Sequence, residues 1–203
     1  AAPHGIHILL EECGLVFEAH IVNLLAGDQY KKEYLAINPK GSIPALVLDD
    51  GSSLTEFSAI AWWLARTYPK RKLLPESIAG EVRVLGIMNY AVHTLHTQGF
   101  ARIFTTERFS PSSSDHESVK AQGRQIIDQG FAIINRELEG RDYVADQFSI
   151  ADAALFYVEF WADRTGIPLP ANCAAHYRLM LTRPAVRQVL AEEGYASVLR
   201  QTS

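Results

Sequence analysis

Two hundred and three residues, 48 % hydrophobic and 21 % charged, describe a globular chain rather than a disordered or fibrous one. A net charge of −4, with no basic block beyond Lys70, Arg71 and Lys72, excludes the basic footprint of nucleic-acid binding, and no apolar run approaches the roughly 20 residues that span a bilayer. Cys13 and Cys173 form neither a C-x-x-C nor a zinc spacing and read as free buried thiols; with no secretory signal pattern, a cytoplasmic location is expected.

From Ile6 to Cys13 the chain is apolar with a Glu11-Glu12 pair, and Gly14 follows where a helix stop is expected, so a short helix is predicted. Phe17, Ala19, Ile21 and Asn23 alternate with Glu18, His20 and Val22, which predicts a strand. A polar stretch from Gly27 leads into the shaped loop Asn38-Pro39-Lys40-Gly41-Ser42-Ile43-Pro44. The short runs Ala45 to Leu48 and Ser52 to Thr55 flank Asp49-Asp50-Gly51, a hairpin signal. Ser58 to Tyr68 is helical in composition and ends at Pro69.

The stretch from Pro69 to Ser77, rich in Pro, Lys and Arg, has the character of a linker, and everything beyond it is helical. The expected organisation is therefore a mixed domain over residues 1–69, a linker over 70–78 and an all-helical domain over 79–203. Val84, Ile87, Met88, Ala91 and Leu95 form the stripe of an amphipathic helix running to about Arg108. Ser110 to Asp115 is a loop; Ile127, Phe131, Ile134 and Leu138 mark the next helix, closed by Gly140. Ser149-Ile150-Ala151-Asp152 is a capping-box variant before an apolar run through Trp161. After the break at Gly166 to Pro170, two short helices from Ala171 to Thr182 and from Pro184 to Glu193 finish the chain.

Three features of the first domain point to one kind of ligand. At Ile43-Pro44 a proline sits where a loop enters a strand, the one kind of bond at which a cis peptide costs little; a cis bond there leaves the Ile43 backbone free to pair with a peptide as an added strand. Glu56 ends the hairpin, and Phe57-Ser58 opens a helix whose free N–H groups favour a carboxylate. An α-amino acid end would be held by Glu56 and the turn at Ser58, with the next peptide unit on Ile43.

The chain resembles the glutathione transferases, most closely the bacterial beta-like and nu-like classes. The residues that carry the resemblance are Pro3-His4-Gly5 with Ile8-Leu9-Leu10-Glu11-Glu12, Asn38 through Leu46, Leu54-Thr55-Glu56 and Ser149-Ile150-Ala151-Asp152, which span both domains in the family's order. The resemblance implies a thioredoxin-like α/β N-terminal domain followed by an all-α domain, a homodimer, and glutathione as co-substrate. It assigns Ile43, before Pro44, to the cysteinyl backbone of glutathione, and Glu56 with Phe57 to the γ-glutamyl end. Many relatives have Ser directly after that Glu, whereas here Phe57 intervenes and Ser58 comes one place later. Lys40 is a candidate for the glycine carboxylate, or a solvated loop lysine. It also implies a strand before the first helix that this chain lacks, as if an N-terminal segment were omitted.

The implied reaction is attack of the glutathione thiolate on a small electrophile, or reduction of a disulfide or peroxide; the alternative is a non-catalytic glutathione-binding or scaffold protein of the same fold. Relatives stabilise the thiolate with Tyr, Ser, Cys or Asn in or before the first loop, where this chain has Ala2, Pro3 and His4. The imidazole of His4 could donate to the sulfur, unless it is a surface loop histidine. Asn89-Tyr90 followed by His93 and His96 resembles a beta-class stretch whose histidine, matched by His96, faces the substrate cleft. His93, His96 and Phe100 are the candidates for an electrophile groove; the alternatives are a satisfied helix histidine and, for Phe100 with Trp62, Trp63, Phe104 and Trp161, core or interface packing. Two histidines a turn apart without a third ligand do not argue for metal, and none is expected.

Overall fold

The computed structural model describes residues 2–199, with side chains from residue 4 onward. Helix α1 (Ala2–Cys13) lies against three helices, α3 (Phe57–Thr67), α7 (Ile150–Thr165) and α9 (Pro184–Glu192). The predicted helix from Ile6 therefore starts earlier, and Pro3-His4-Gly5, expected in a loop, are helical. Gly5 permits this packing: a Cβ there would sit 2.6 Å from Phe57 Cε2 and 2.9 Å from the Ala153 carbonyl oxygen.

The hairpin forms as predicted. Strands β1 (Ala45–Val47) and β2 (Ser53–Thr55) pair antiparallel in the register Ala45 to Thr55, Leu46 to Leu54 and Val47 to Ser53. The strand expected from Phe17 to Asn23 does not form; residues 15–23 are irregular, and Val16 and Ile21 are fully exposed. Alternation makes a segment capable of extension, but a strand also needs a neighbour to pair with, and among the described residues β1 and β2 pair only with each other. The stretch read only as polar contains the short helix α2 (Lys32–Ile37).

Beyond α3, a 3₁₀ turn at Pro69–Arg71 leads to Leu73, which is buried and accepts a bond from Ile150 N (3.1 Å). The predicted amphipathic helix is one continuous rod that changes pitch: α4 (Ile78–Asn89), a π-helix over Tyr90–Phe100, and α5 (Ala101–Phe104). The rod stops at Phe104 because Thr105 leaves the helical region (φ −134°, ψ 50°), and a 3₁₀ turn carries the chain to Arg108. Helix α6 (His116–Glu137) packs along the π-helix, so closely that a Cβ on Gly123 would lie 2.8 Å from the Gly99 carbonyl oxygen. Helix α8 (Ala171–Thr182) completes the bundle.

Helix α7 is its axis, buried without interruption from Ile150 to Ala162. The capping box is present, with Asp152 Oδ2 accepting from Ser149 N and Oγ, both at 2.8 Å. Asp152 Oδ1 also accepts from Val144 N (2.8 Å) and lies 3.1 Å from His176 Nε2, while His176 Nδ1 lies 2.8 Å from Glu159 Oε2. All three side chains are buried. Carboxylates only accept, so a ring between two of them donates from both nitrogens and carries a charge. Burial opposes that charge, but the two carboxylates outweigh it and push His176 up to about 10; burial likewise raises Glu159 to about 7, against the pull of His176. One apolar core runs from α1 and α3 through α7 to α8 and α9. The resulting architecture is a thioredoxin-like α/β portion joined to a helical one.

Candidate functional site

The loop before β1 is held by Asn38, which is fully buried. Its side-chain amide donates to the Ser42 carbonyl (2.6 Å), its Oδ1 accepts from Lys40 N (3.2 Å), and Tyr34 Oη donates to the same Ser42 carbonyl (2.6 Å). This bracing fixes the approach to the Ile43-Pro44 peptide, which is cis. Among the described residues neither the N–H nor the C=O of Ile43 makes a hydrogen bond, so the donor and acceptor of this one residue stand open at the end of the sheet.

The hairpin register sets Ala45 opposite Thr55, so Pro44 and Ile43 flank Glu56. Glu56 is the N-cap of α3 with φ 71° and ψ 126°, a left-handed backbone that costs a non-glycine residue energy and that clusters at functional sites. No side chain caps α3, so the first N–H groups, of Phe57, Ser58 and Ala59, are open, and the helix dipole adds partial positive charge there. Glu56 Oε1 accepts from Lys40 Nζ at 2.7 Å, and the same ammonium donates to Thr55 Oγ1 at 3.0 Å. Both ends of this pair are more than half exposed.

The structure thus brings together Lys40, Ile43, Pro44, Glu56 and the backbone of Phe57 and Ser58. Side chains beyond Glu56 point elsewhere. Phe57 is buried, its ring 5.5 Å from that of Tyr157. Ser58 Oγ donates to Asn89 Oδ1 (2.7 Å), tying α3 to α4.

On the helical side, His96 Nδ1 hydrogen-bonds with Tyr157 Oη (3.1 Å), and its ring packs edge-on against Trp161, 4.8 Å between centroids. Burial lowers the imidazole to about 4, with nearby His93 acting in the same direction, so it is neutral at pH 7. His93 is exposed. Phe100, expected to line a groove, is fully buried against Trp161 and Phe104, so it underlies that surface instead of lining it.

His4 also requires correction as a thiol donor. Its ring is 1 % exposed, enclosed by Phe160 and Tyr195, with Nε2 turned to the Glu193 carboxylate. A bound thiol has no path to it. Beside it His7 Nδ1 donates to Glu193 Oε1 (2.9 Å). This grouping was invisible in the sequence, because Glu193 lies at the other end of the chain; the only hint was His4, His7 and Glu11 falling on one helical face.

A thioredoxin-like portion with the open backbone of Ile43 before a cis proline, an open helix start beside an acid, and a helical portion packed against it are the arrangement that the resemblance to the glutathione transferases implies. Comparison agrees. The family profile for the glutathione S-transferase N-terminal domain matches residues 2–67, and that for the C-terminal domain matches residues 117–192. The chain is 36 % identical over 200 residues to glutathione S-transferase GstA of Escherichia coli O157:H7, covering 93 % of this chain and 92 % of that one. Among solved structures it is similar to a glutathione transferase homologue from Sulfitobacter with bound glutathione (28 % identity, 96 % and 94 % coverage, TM-score 0.87). It is also similar to a sphingomonad glutathione S-transferase complexed with glutathione (32 %, 96 % and 95 %, TM-score 0.80). The chain belongs to the glutathione S-transferase family.

Proposed function

We propose that this glutathione transferase holds glutathione at the corner between the Asn38–Pro44 loop and the start of α3, and turns its thiolate on a small electrophile beside the π-helix. The observation that carries the reading is the convergence of three open groups of complementary type. Glu56 suits the γ-glutamyl ammonium, the first N–H groups of α3 suit its carboxylate, and the free Ile43 peptide suits the cysteinyl unit. Lys40 suits the glycine carboxylate. Its pairing with Glu56 does not oppose this, because an exposed ion pair is worth about 0–1 kcal/mol and exchanges readily for ligand charges.

Glutathione's thiol, like a free cysteine near pKa 8.5, is mostly protonated at neutral pH, so the gain comes from favouring the thiolate. Attack forms a sulfur–carbon bond to the electrophile and expels its leaving group. On a disulfide the thiolate forms a mixed disulfide and expels the other thiolate, and on a peroxide it takes one oxygen as a sulfenic acid while the other leaves as hydroxide or alkoxide; a second glutathione then gives glutathione disulfide in either case. Neutral His96 and exposed His93 are the polar groups proposed for the electrophile side. We assign residues 1–69 to glutathione, 70–78 to the linker and 79–203 to the electrophile groove. A cytoplasmic homodimer is the proposed state: no helix among the described residues is long and apolar enough to cross a membrane, and Trp62, Ile78 and Val82 expose apolar surface around the Arg66–Glu81 pair.

The test is calorimetric titration with glutathione alongside turnover of a chloronitroaromatic electrophile. Binding with turnover, both reduced in Glu56→Gln, is the expected result. Binding of unchanged affinity in Glu56→Gln would sink the corner assignment, and binding without turnover would make the protein a glutathione carrier.

A further inference from the structure

Where α1 meets the end of α9, three potential ligands converge from distant parts of the sequence. His7 and Glu11, one turn apart on α1, and Glu192 at the end of α9 present ligand atoms that all lie within 4.8 Å of one another. His7 is nine-tenths buried, and its two nitrogens have different fates. Nδ1–H donates to Glu193 Oε1 at 2.9 Å, which fixes the ring. Nε2 is buried and makes no hydrogen bond; Glu192 Oε2 lies 3.2 Å away, but outside hydrogen-bond geometry. A ring anchored at one nitrogen by a carboxylate, with the other nitrogen aimed unbonded at two more carboxylates, is the arrangement by which proteins orient a metal-ligating histidine.

We propose that His7 Nε2, Glu11 and Glu192 form a divalent transition-metal site joining the N-terminal helix to the C-terminal one. One imidazole and two carboxylates suit zinc and its neighbours better than magnesium or calcium, which take oxygen ligands. Glu193 holds the ring from behind, its Oε1 accepting the Nδ1 hydrogen bond at 2.9 Å. Glu192 is exposed and Glu11 half-buried, so the ion enters from solvent and keeps water in its remaining positions. Glu12, next to the site, is taken by Arg183 (2.8 Å) and does not compete. This departs from the expectation that the chain holds no metal; the three ligands could not be paired from spacing, since α9 lies far from α1 in the sequence.

The proposal is tested by titrating the chelator-treated full chain with zinc in a calorimeter and following its thermal unfolding. One zinc per chain is expected, raising the Tm, with affinity falling at least tenfold in both His7→Gln and Glu192→Gln. Glu192 is exposed, so Glu192→Gln keeps its fold even if His7→Gln does not, and the surface substitution His20→Gln serves as the control that leaves zinc binding unchanged. The same substitutions must abolish the visible bands of cobalt bound in place of zinc. Absence of binding by the wild type, or wild-type affinity in Glu192→Gln, overturns the proposal.

Discussion

Two ionic groups in this molecule put carboxylates and cations to opposite ends. At the corner proposed for glutathione, Lys40 and Glu56 pair at the surface, each more than half exposed. Inside the helical bundle, Asp152, Glu159 and His176 are sealed from water. The buried charges are spent on one another: removing any of them strands the rest in a medium that solvates ions poorly. The exposed pair loses almost nothing when broken, so its charges remain available to a zwitterionic peptide. Burial, more than residue identity, decides which carboxylate is committed to the fold and which stays open to solvent.

Substitutions can break or sharpen that contrast. The largest effect is expected for His176→Leu, which leaves Glu159 and Asp152 without their buried counter-charge and should cost about 3–5 kcal/mol in urea unfolding. Replacing Glu159 and His176 together by leucine should recover much of this; a single-variant loss below 1 kcal/mol would put the buried cluster in the same class as the exposed pair.

His96 contributes a pH dependence next in size. Its folded value, about 4, lies below the ordinary imidazole value of about 6.5, so the folded state disfavours its proton. Stability from this group is complete above pH 6.5 and declines as pH falls from there toward 4, by up to about 3 kcal/mol. Unfolding of His96→Asn followed over the same range should show a shallower decline; an identical slope would refute the assignment. Gly5→Ala should cost about 1–3 kcal/mol in thermal or urea unfolding, because the new methyl overlaps the Phe57 ring and the α7 backbone.

Glu56→Gln completes the series from the ligand side. Its stability should change by under 1 kcal/mol, while glutathione affinity measured by calorimetry falls about tenfold, the value of one charge-assisted contact. A large loss of stability with unchanged affinity would invert the contrast.

The parts of this molecule legible in its sequence are those decided locally. Asp50-Gly51 makes the turn of the hairpin, Ser149 and Asp152 cap their helix within one turn, and Ile43-Pro44 declares its own bond. What escaped depends on distant partners. The segment from Phe17 to Asn23 alternates correctly, yet period two cannot supply a neighbouring strand. The apolar stripe from Val84 to Leu95 is real, but the switch to π pitch at Tyr90 changes which residues face inward, so Phe100 ends in the core. His4 looked like a loop residue because nothing near it in sequence announces Glu193. Phe57 stands where relatives place a serine, and the reading of its backbone as a ligand contact needs no side chain there.

That phenylalanine has an optical consequence. Its backbone N–H lies at the proposed anion site, while its ring leans on Tyr157, whose own ring lies 5.2 Å from that of Trp161. A ligand that draws the α3 terminus inward therefore shifts a relay of three aromatic rings ending on an indole. The molecule carries its own fluorophore wired to the corner, and occupancy should be readable as a change in tryptophan emission without any label.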